Sequence, residues 1–319
     1  MWTLIFGSIF LGTILGIVYL SCRFSKFAII CRAAKKRKGI CFLAGFILVI
    51  VILASIWVTL GSINAMVCII HLMVIWMVCD GICKIIEKKR KMAFKRYYAG
   101  ACAIVTTVIY LACGWYLAHN VWSTKYALET DKQVGSLRIV QFADSHVGTT
   151  FDGAGFAEKL KAIQAENPDI VVVTGDYIDD DTTKEDMLQD ENVLLDNRFY
   201  LIGRQDRSEE VAGGARASME ELADGLDHDK YIIVLDHQPH DYDAQEAAGA
   251  DLVLSGHTHG GQLFPVNYLG ELTGTDDKRY GLEKRGNTNF IVTSGISDWA
   301  IKFKTGCKSE YVVVDIQGK

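Results

Sequence analysis

Apolar residues in the first third of the chain form four long stretches that few charges interrupt. Each stretch is close to the roughly 20 residues that an α-helix needs to cross the hydrocarbon core of a bilayer. The stretches run over about Trp2–Cys22, Ile40–Leu60, Ile63–Cys79 and Tyr97–Leu117. The third is the shortest, and only Gly61 and Ser62 separate it from the second, so these two could form a helical hairpin. We therefore predict a transmembrane region of four helices over residues 1–123.

From residue 137 onward the pattern changes to short β-branched and aromatic runs that alternate with helical segments. The runs include LRIVQF, DIVVV, FYLIG, YIIVL, DLVLS, NFIVT and EYVVVDI, and FAEKLKAIQAEN is a typical amphipathic helix. Continuous apolar runs of this length are typical of strands that are buried on both faces. Residues 137–319 are predicted to form an α/β domain with covered sheets, and residues 124–136 are predicted to be a linker.

The charges are as unevenly distributed as the apolar residues. Residues 1–123 contain 14 Lys and Arg and two acids, whereas the remainder contains 19 basic and 36 acidic residues. Basic loops follow the first and third stretches, and because such loops stay in the cytoplasm, the part after the fourth stretch is predicted to be extracytoplasmic. The net charge of −17 after residue 123 disfavours nucleic acid, which selects basic surfaces.

Polar side chains follow four of the predicted strands directly. They are Asp144 and His146 in DSH, Asp176 in GD, His237 in HQP, and His257 and His259 in GHTHGGQ. Ligand sites in open α/β sheets form beyond the carboxyl ends of strands. Carboxylates and imidazoles without cysteine suit Zn, Mn or Fe, and the set is larger than one ion needs. DSH and GD alone are also explained by a helix cap or a turn, and HQP alone is a weak signal. GHTHGGQ is more specific, because two histidines at i and i+2 point the same way in an extended segment. The common position of all four at strand ends favours a metal site.

Through these motifs the chain from about Leu137 to its end resembles the calcineurin-like metallophosphoesterase superfamily, and within it a membrane-anchored bacterial branch. The tail SGISDWAIKFKTGCKSEYVVVDI is similar to that branch as well. The resemblance implies a sandwich of two mixed sheets flanked by helices. It also implies two divalent metal ions (Mn, Zn or Fe). The resemblance assigns Asp144, His146 and His259 to one ion, His237 and His257 to the other, and Asp176 as the bridge.

The same resemblance identifies a motif that this chain lacks. Members of the family carry a Gly-Asn-His block between the GD and HQP motifs, in which Asn binds the second ion and His assists the leaving group. Asn192 and Asn197 are the only asparagines between Asp176 and His237, and neither precedes a histidine. The domain is therefore predicted to be internally truncated near residues 187–190.

The missing block puts the second metal ion and the proton donor in question. General acid catalysis contributes roughly 10²–10⁴ in rate. His240 and His228 are the candidates to replace the donor, although a surface position is the ordinary expectation for His240. Three explanations stay open: a truncated or misassembled version of an active enzyme, a natural chain with weakened activity, and a pseudo-enzyme.

The sequence as a whole predicts a multi-pass protein of the cell membrane whose extracytoplasmic domain hydrolyses phosphodiesters or phosphomonoesters. The resemblance implies a hydroxide bridging two ions as the nucleophile. The expected partners are the lipid bilayer and a phosphoester, with a lipid-linked or envelope precursor fitting the anchor. The alternative is a non-catalytic membrane protein whose outer domain binds a metal or a phosphorylated ligand. A transporter is disfavoured because the spans contain few ionisable groups.

Overall fold

The computed structural model of the protein describes residues 2–176, 189–211 and 213–319. The chain divides into two compact units, Met1–Cys113 and Gly114–Lys319. The boundary falls inside a long helix, Tyr98–His119, so the last turns of that helix belong to the second unit.

The first unit is built from helices. They are α1 (Trp2–Phe24), α2 (Ala28–Ala33), α3 (Lys38–Leu60), α4 (Ser62–Arg90) and α5 (Tyr98–His119). Among the described residues, α1, α3, α4 and α5 are long and apolar enough to cross a membrane. All four predicted stretches are therefore helical, and α4 continues beyond the predicted Cys79. Gly61, with a φ of 91°, separates α3 from α4.

A buried carboxylate on α4, Asp80, joins elements of the first unit. Its Oδ2 lies 2.9 Å from Nε of Arg23 on α1, and the hydroxyls of Tyr19 and Tyr97 each donate to it at 3.1 Å. The Tyr97 hydroxyl accepts in turn from the indole N–H of Trp76 at 2.8 Å. Since an unpaired buried charge is costly, this network accounts for an acid within an apolar helix.

The described part of the second unit contains ten strands. They are β1 (Val121–Glu129), β2 (Ser136–Phe142), β3 (Ile170–Val173), β4 (Glu191–Leu195), β5 (Phe199–Gly203), β6 (Tyr231–Leu235), β7 (Leu252–Ser255), β8 (Gly281–Arg285), β9 (Thr288–Val292) and β10 (Ser309–Gln317). They form a four-stranded sheet of order β1-β10-β2-β3 and a six-stranded sheet of order β4-β5-β6-β7-β9-β8. Both sheets combine parallel and antiparallel neighbours, which confirms the predicted α/β fold with two mixed sheets.

Strand β1 corrects the predicted linker over residues 124–136. It pairs in parallel with β10 from Val121 to Glu129, so the α/β unit begins well before residue 137. Tyr126 and Leu128 face the core, whereas Lys125 and Glu129 are exposed. This alternation is typical of an edge strand with one buried face. Such a strand has no continuous apolar run, which is the pattern that identifies the inner strands.

The two sheets pack face to face, and the alternation of side chains along each strand divides the apolar residues between three cores. In β6, Tyr231 and Ile233 point into the core between the sheets, and Ile232 and Val234 point away from it. The outer face of the six-stranded sheet is covered by α8 (Met219–Ala223) and α9 (Tyr242–Ala247). The outer face of the other sheet is covered by α6 (Gly153–Ala165). The remaining helices are α7 (Arg207–Val211) and α10 (Leu269–Thr273).

The hairpin of β4 and β5 accounts for the two asparagines that follow Asp176. Asn197 lies in the turn between these antiparallel strands with a left-handed φ of 57°. Asn192 lies on β4, where its side-chain N–H donates to the carbonyl of Leu222 on α8 at 3.3 Å. Both asparagines thus have structural roles. The predicted join at residues 187–190 lies partly outside the described residues, and its truncation stays a prediction.

A buried ion network fixes the carboxyl end of β6. Asp236 is fully buried, and its two oxygens accept from Arg204 at 2.8 Å and from Arg216 at 2.6 Å. The amide of Gln245 on α9 donates to the same carboxylate at 2.8 Å. Because all of these groups are desolvated, removing the acid would leave two buried guanidinium groups without their main partner.

We expect Asp236→Ala to lower the free energy of unfolding by about 3–5 kcal/mol, the cost of breaking a buried ion pair. Thermal and denaturant unfolding of the full chain in detergent, followed by near-ultraviolet circular dichroism, would measure the change. Asp243→Ala is the matched control, because Asp243 pairs with Arg285 at 3.2 Å but is almost fully exposed. The control should cost less than about 1 kcal/mol. Equal losses in the two variants would contradict a stabilising role for the buried network.

Candidate metal centre

The candidate ligands lie just beyond the carboxyl ends of four strands. Asp144 and His146 follow β2, Asp176 follows β3, His237 follows β6, and His257 and His259 follow β7. The two sheets are joined at this edge by the amide of Gln141, which donates to Ser255 O and to Thr174 Oγ1 at 2.9 Å each. Residues from separate sheets are therefore brought to one place.

Three of the residues form a first group. The ligand atoms of Asp144, His146 and His259 lie within 4.8 Å of one another. His259 Nε2 is 3.7 Å from Asp144 Oδ1, and the rings of His146 and His259 are stacked with their centroids 5.5 Å apart. This group has the same members as the first ligand set that the resemblance implies.

A second group consists of Asp144, Asp176 and His237, again with ligand atoms within 4.8 Å of one another. His257 adjoins it, because its Nδ1 is 3.2 Å from Nε2 of His237. Asp176 Oδ2 lies 3.3 Å from His146 Nε2 and 3.5 Å from His237 Nε2, so it touches a member of each implied set. The structure thus brings all six residues together, while their assignment to particular ions stays a prediction.

The backbone at this edge is strained in a consistent way. Five of the six residues have left-handed φ values between 34° and 70°: Asp144, His146, Asp176, His257 and His259. Few residues other than glycine adopt this region, and each such residue costs of order 1–3 kcal/mol. Strain of this kind persists where the surroundings impose it, and it turns each side chain sharply away from its strand.

Glycine is required at two close approaches to these side chains. A Cβ on Gly175 would lie 2.2 Å from Nδ1 of His237, and Gly175 also has a φ of 99°. A Cβ on Gly295 would lie 2.8 Å from Cβ of Asp144. The glycine of the GD motif therefore makes room for a histidine from another strand, in addition to forming a turn.

The environment orients the histidines and separates their pKa values. The Nδ1–H of His237 donates to Thr174 O at 2.7 Å, which leaves Nε2 directed towards Asp176. Burial lowers the pKa of His237, but the hydrogen bond to Asp176 and the charge of Asp144 raise it to about 9. The neighbouring His146 and His237 hold the pKa of Asp176 well below its usual range. Burial lowers the pKa of His257 and of His259.

These residues fit divalent metal ions. Two ligand atoms about 2.1 Å from one ion at a tetrahedral angle lie about 3.4 Å apart, and the contacts between the side chains measure 3.2–3.7 Å. Nδ1 of His259 is buried and makes no hydrogen bond within the described part of the chain. His257 and Asp176 are exposed, so the centre opens to the surface. Together they form an oxygen- and nitrogen-rich centre that is open to solvent.

The two histidines considered as proton donors lie in different places. His240 is partly buried, with Nε2 3.6 Å from Asp241 and Nδ1 3.9 Å from Asp277. Its neighbouring carboxylates therefore differ from those of the candidate metal centre. His228 precedes β6, at the opposite end of the strand from His237, and packs against Gly249. His228 is therefore excluded by its position as a donor at this centre.

A buried lysine behind the centre was missed in the sequence. Lys304 is fully buried, and its ammonium donates to Ser294 O at 2.7 Å and to Ser297 O at 3.1 Å. It also lies 3.3 Å from the buried carboxylate of Asp298. These bonds fix the loop that contains Gly295, which contacts Asp144. A lysine within the polar tail IKFKTGCKSE gave no signal of burial.

Comparison with known proteins shows that this unit is similar to calcineurin-like phosphoesterases. Residues 137–203 match the family model described as calcineurin-like phosphoesterase. An uncharacterized metallophosphoesterase of Campylobacter jejuni is 28% identical over 57% of this chain and 60% of its own length. One from Aquifex aeolicus is 27% identical over 61% of this chain and 91% of its own length. A Bos taurus transmembrane protein with metallophosphoesterase domain is 23% identical, over 73% of this chain and 64% of its own length.

These matches confirm the resemblance predicted from the sequence. No solved structure shows a significant match to the chain. The chain covers only about three fifths of the length of the C. jejuni relative.

The alignments also bear on the missing block. The C. jejuni alignment has 228 positions but includes 57% of 319 residues, about 182, so about 46 positions face gaps in this chain. The A. aeolicus alignment has 241 positions and includes 61% of the chain, about 195 residues, which again leaves about 46. In both alignments this chain is thus about 46 positions shorter than the relative, and the truncation near residues 187–190 stays a prediction.

We expect Gly175→Ala to displace His237 and to weaken metal binding about 10–100-fold, the usual cost of disturbing the support of a ligand. Isothermal titration of the full chain in detergent with Mn²⁺ would measure the affinity.

Gly274→Ala is the matched control, because Gly274 is also left-handed, with a φ of 70°, but has open space where its Cβ would lie. The control should lose about 1 kcal/mol of stability through backbone strain and keep its metal affinity. Unchanged affinity in Gly175→Ala would show that His237 does not contribute to binding.

Proposed function

We propose that this chain is a membrane-anchored, metal-dependent phosphoesterase that hydrolyses phosphodiesters or phosphomonoesters. The observation that carries the proposal is the convergence of two carboxylates and four imidazoles at the ends of four strands. The family relationship supports the same reaction class. The four apolar helices and the transmembrane relatives support membrane association.

Each residue has a defined role in this proposal. Asp144, His146 and His259 hold one divalent ion, and His237 and His257 hold a second. Asp176 connects the two groups, because its carboxylate touches both His146 and His237. Ions bound here would lower the pKa of water and neutralise charge on the phosphate.

We further propose that the α/β unit is extracytoplasmic and that its substrate is a lipid-linked or envelope phosphoester. The orientation is supported by the seven basic residues that follow the first predicted apolar stretch and the seven that follow the third. The substrate class is supported by the membrane anchor, and a net charge of −17 after residue 123 makes nucleic acid a poor competitor.

A second candidate function is a non-catalytic domain that binds a metal or a phosphorylated ligand. It is favoured by one observation, that neither Asn192 nor Asn197 is available to the centre. The two candidates differ in turnover, since only an enzyme would release p-nitrophenol from bis(p-nitrophenyl) phosphate in a metal-dependent way.

We expect the full chain, loaded with Mn²⁺ or Zn²⁺ in detergent and desalted, to retain close to two ions per molecule. Plasma mass spectrometry against protein concentration would give the ratio. The whole chain is used because β1 begins at Val121, so a cut at residue 124 would remove part of a strand. A ratio near one would show that only one of the two ligand groups retains an ion. A ratio near zero would contradict the proposed centre.

We expect His257→Ala to reduce hydrolysis of bis(p-nitrophenyl) phosphate about 100-fold or more, because the variant removes an imidazole from the second group. Initial rates at saturating Mn²⁺ would provide the comparison. His228→Ala removes the same side chain from the opposite end of β6 and should retain the normal rate. Full activity of His257→Ala would exclude the proposed site, whereas inactivity of the unaltered chain with two bound ions would favour the binding function.

A further inference from the structure

An exposed apolar segment directly follows the GHTHGGQ motif. The segment, Leu263–Leu272, has the sequence LFPVNYLGEL, and its large apolar side chains Phe264, Val266, Leu269 and Leu272 are exposed, the last by 81%. Its single charge, Glu271, accepts from the backbone N–H of Arg279 at 2.9 Å. Scattered exposed apolar residues are normal, but four within nine positions mark a surface that contacts another apolar phase.

This segment begins beside the end of the last apolar helix. The N–H of Lys304 donates to the carbonyl of Gly114 at 3.0 Å, and the N–H of Phe264 donates to Thr305 Oγ1 at the same distance. The ring of Trp115 packs against that of Phe303, with the ring centroids 5.9 Å apart. Gly114 and Trp115 lie in α5, one of the helices that are apolar enough to span a membrane. Phe264 thus contacts Thr305, whose neighbour Lys304 contacts a helix with the composition of a membrane span.

The chain length from α5 into the sheet is equally short. Only Asn120 lies between His119, the end of α5, and Val121, the start of β1. Since each residue extends at most ~3.6 Å, the sheet cannot begin more than a few ångströms from the end of the helix. The residues around β1 and the loop of residues 303–306 must therefore lie near the surface of any bilayer that α5 crosses.

The side chains at this end of the second unit have the composition of a membrane–water interface. Tyr116 is exposed, and the centroid of its ring lies 5.8 Å from that of Trp122. The ammonium of Lys308 lies 5.8 Å from the centroid of the Trp122 ring. In the apolar segment, the guanidinium of Arg279 lies 4.1 Å from the Tyr268 ring. Trp and Tyr are enriched where proteins meet lipid headgroups, because their rings are amphipathic.

We propose that Leu263–Leu272 inserts into the bilayer surface at the C-terminal end of α5, with its exposed apolar side chains among the headgroups and upper acyl chains. The occupant of this surface is lipid. A second copy of the chain would also cover an apolar surface, but the segment is linked through Lys304 and Thr305 to α5, whose composition favours lipid as the occupant.

The docking has a consequence that rests on the proposed function. His257 and His259 lie a few residues before Phe264, so a docked segment holds the metal centre at the membrane surface. A phosphoester on a lipid headgroup would then reach the centre without leaving the bilayer. The docking itself depends only on the exposed side chains and their neighbours, so it can be tested without measuring hydrolysis.

The test is photocrosslinking of the full chain in lipid nanodiscs. Phe264→benzoylphenylalanine and Leu272→benzoylphenylalanine place a photoreactive ketone within the segment, the first as an aromatic exchange. Leu194→benzoylphenylalanine is the negative control, because Leu194 is an exposed apolar residue on β4. Val108→benzoylphenylalanine is the positive control, because Val108 is exposed on the membrane-spanning part of α5. Intact-protein mass spectrometry after irradiation would identify the adducts.

We expect lipid adducts at positions 264, 272 and 108, at least tenfold more abundant than at position 194. Adducts at position 264 without adducts at 272 would overturn insertion of the segment. Protein–protein adducts of twice the chain mass, or lipid adducts no more abundant than at 194, would also overturn the proposal, the former in favour of a second copy. An enzyme without activity that still gives the lipid adducts would refute the proposed function and leave the docking intact.

Discussion

The carboxylate of Asp144 is the point on which the arrangement of the second unit depends. It is fully buried at the end of β2, and both of its oxygens accept from the backbone N–H of His257, at the end of β7, at 3.2 Å. It also belongs to both groups of candidate ligands. A buried carboxylate is unfavourable unless hydrogen bonds or cations compensate for its desolvation. The need to compensate this one charge therefore draws the two sheets together at the edge where the histidines collect.

Much of this arrangement could be predicted from the sequence because its residues lie at the ends of strongly apolar runs. β6 and β7 are buried on both faces, and β2 and β3 are apolar over most of their length, so their apolar runs identify them. The polar residue that ends each run must then lie at the sheet edge. The resemblance then supplied the grouping of Asp144, His146 and His259, which matches a group in the structure. The fold class followed from the same runs.

The residues that support the site could not be found in this way. Arg204, Arg216 and Asp236 are distant in sequence and meet only after the strands have paired. In the sequence a buried arginine cannot be distinguished from an exposed one. Lys304 lies in a polar tail and is buried by backbone carbonyls from a loop about ten residues earlier. Strand β1 was read as a linker because an edge strand exposes half of its side chains. In each of these cases the burial of a residue depends on segments that meet it only in the folded chain. The local sequence pattern contains no information about such contacts.

The missing block affects the two ligand groups unequally, and this bears on what the centre can do. The first group comes from the ends of β2 and β7, which are inner strands with neighbours on both sides. Its geometry is therefore supported by elements that lie outside the predicted truncation. The second group depends on Asp176, which lies on the N-terminal side of that region, and on His237, which donates to Thr174 O and follows the Asp236 network. His237 thus keeps its support from β6, so the framework of the second group does not depend on the Asn ligand that the resemblance implies. The proposed capacity for two ions therefore rests on strands whose pairing does not involve the predicted truncation.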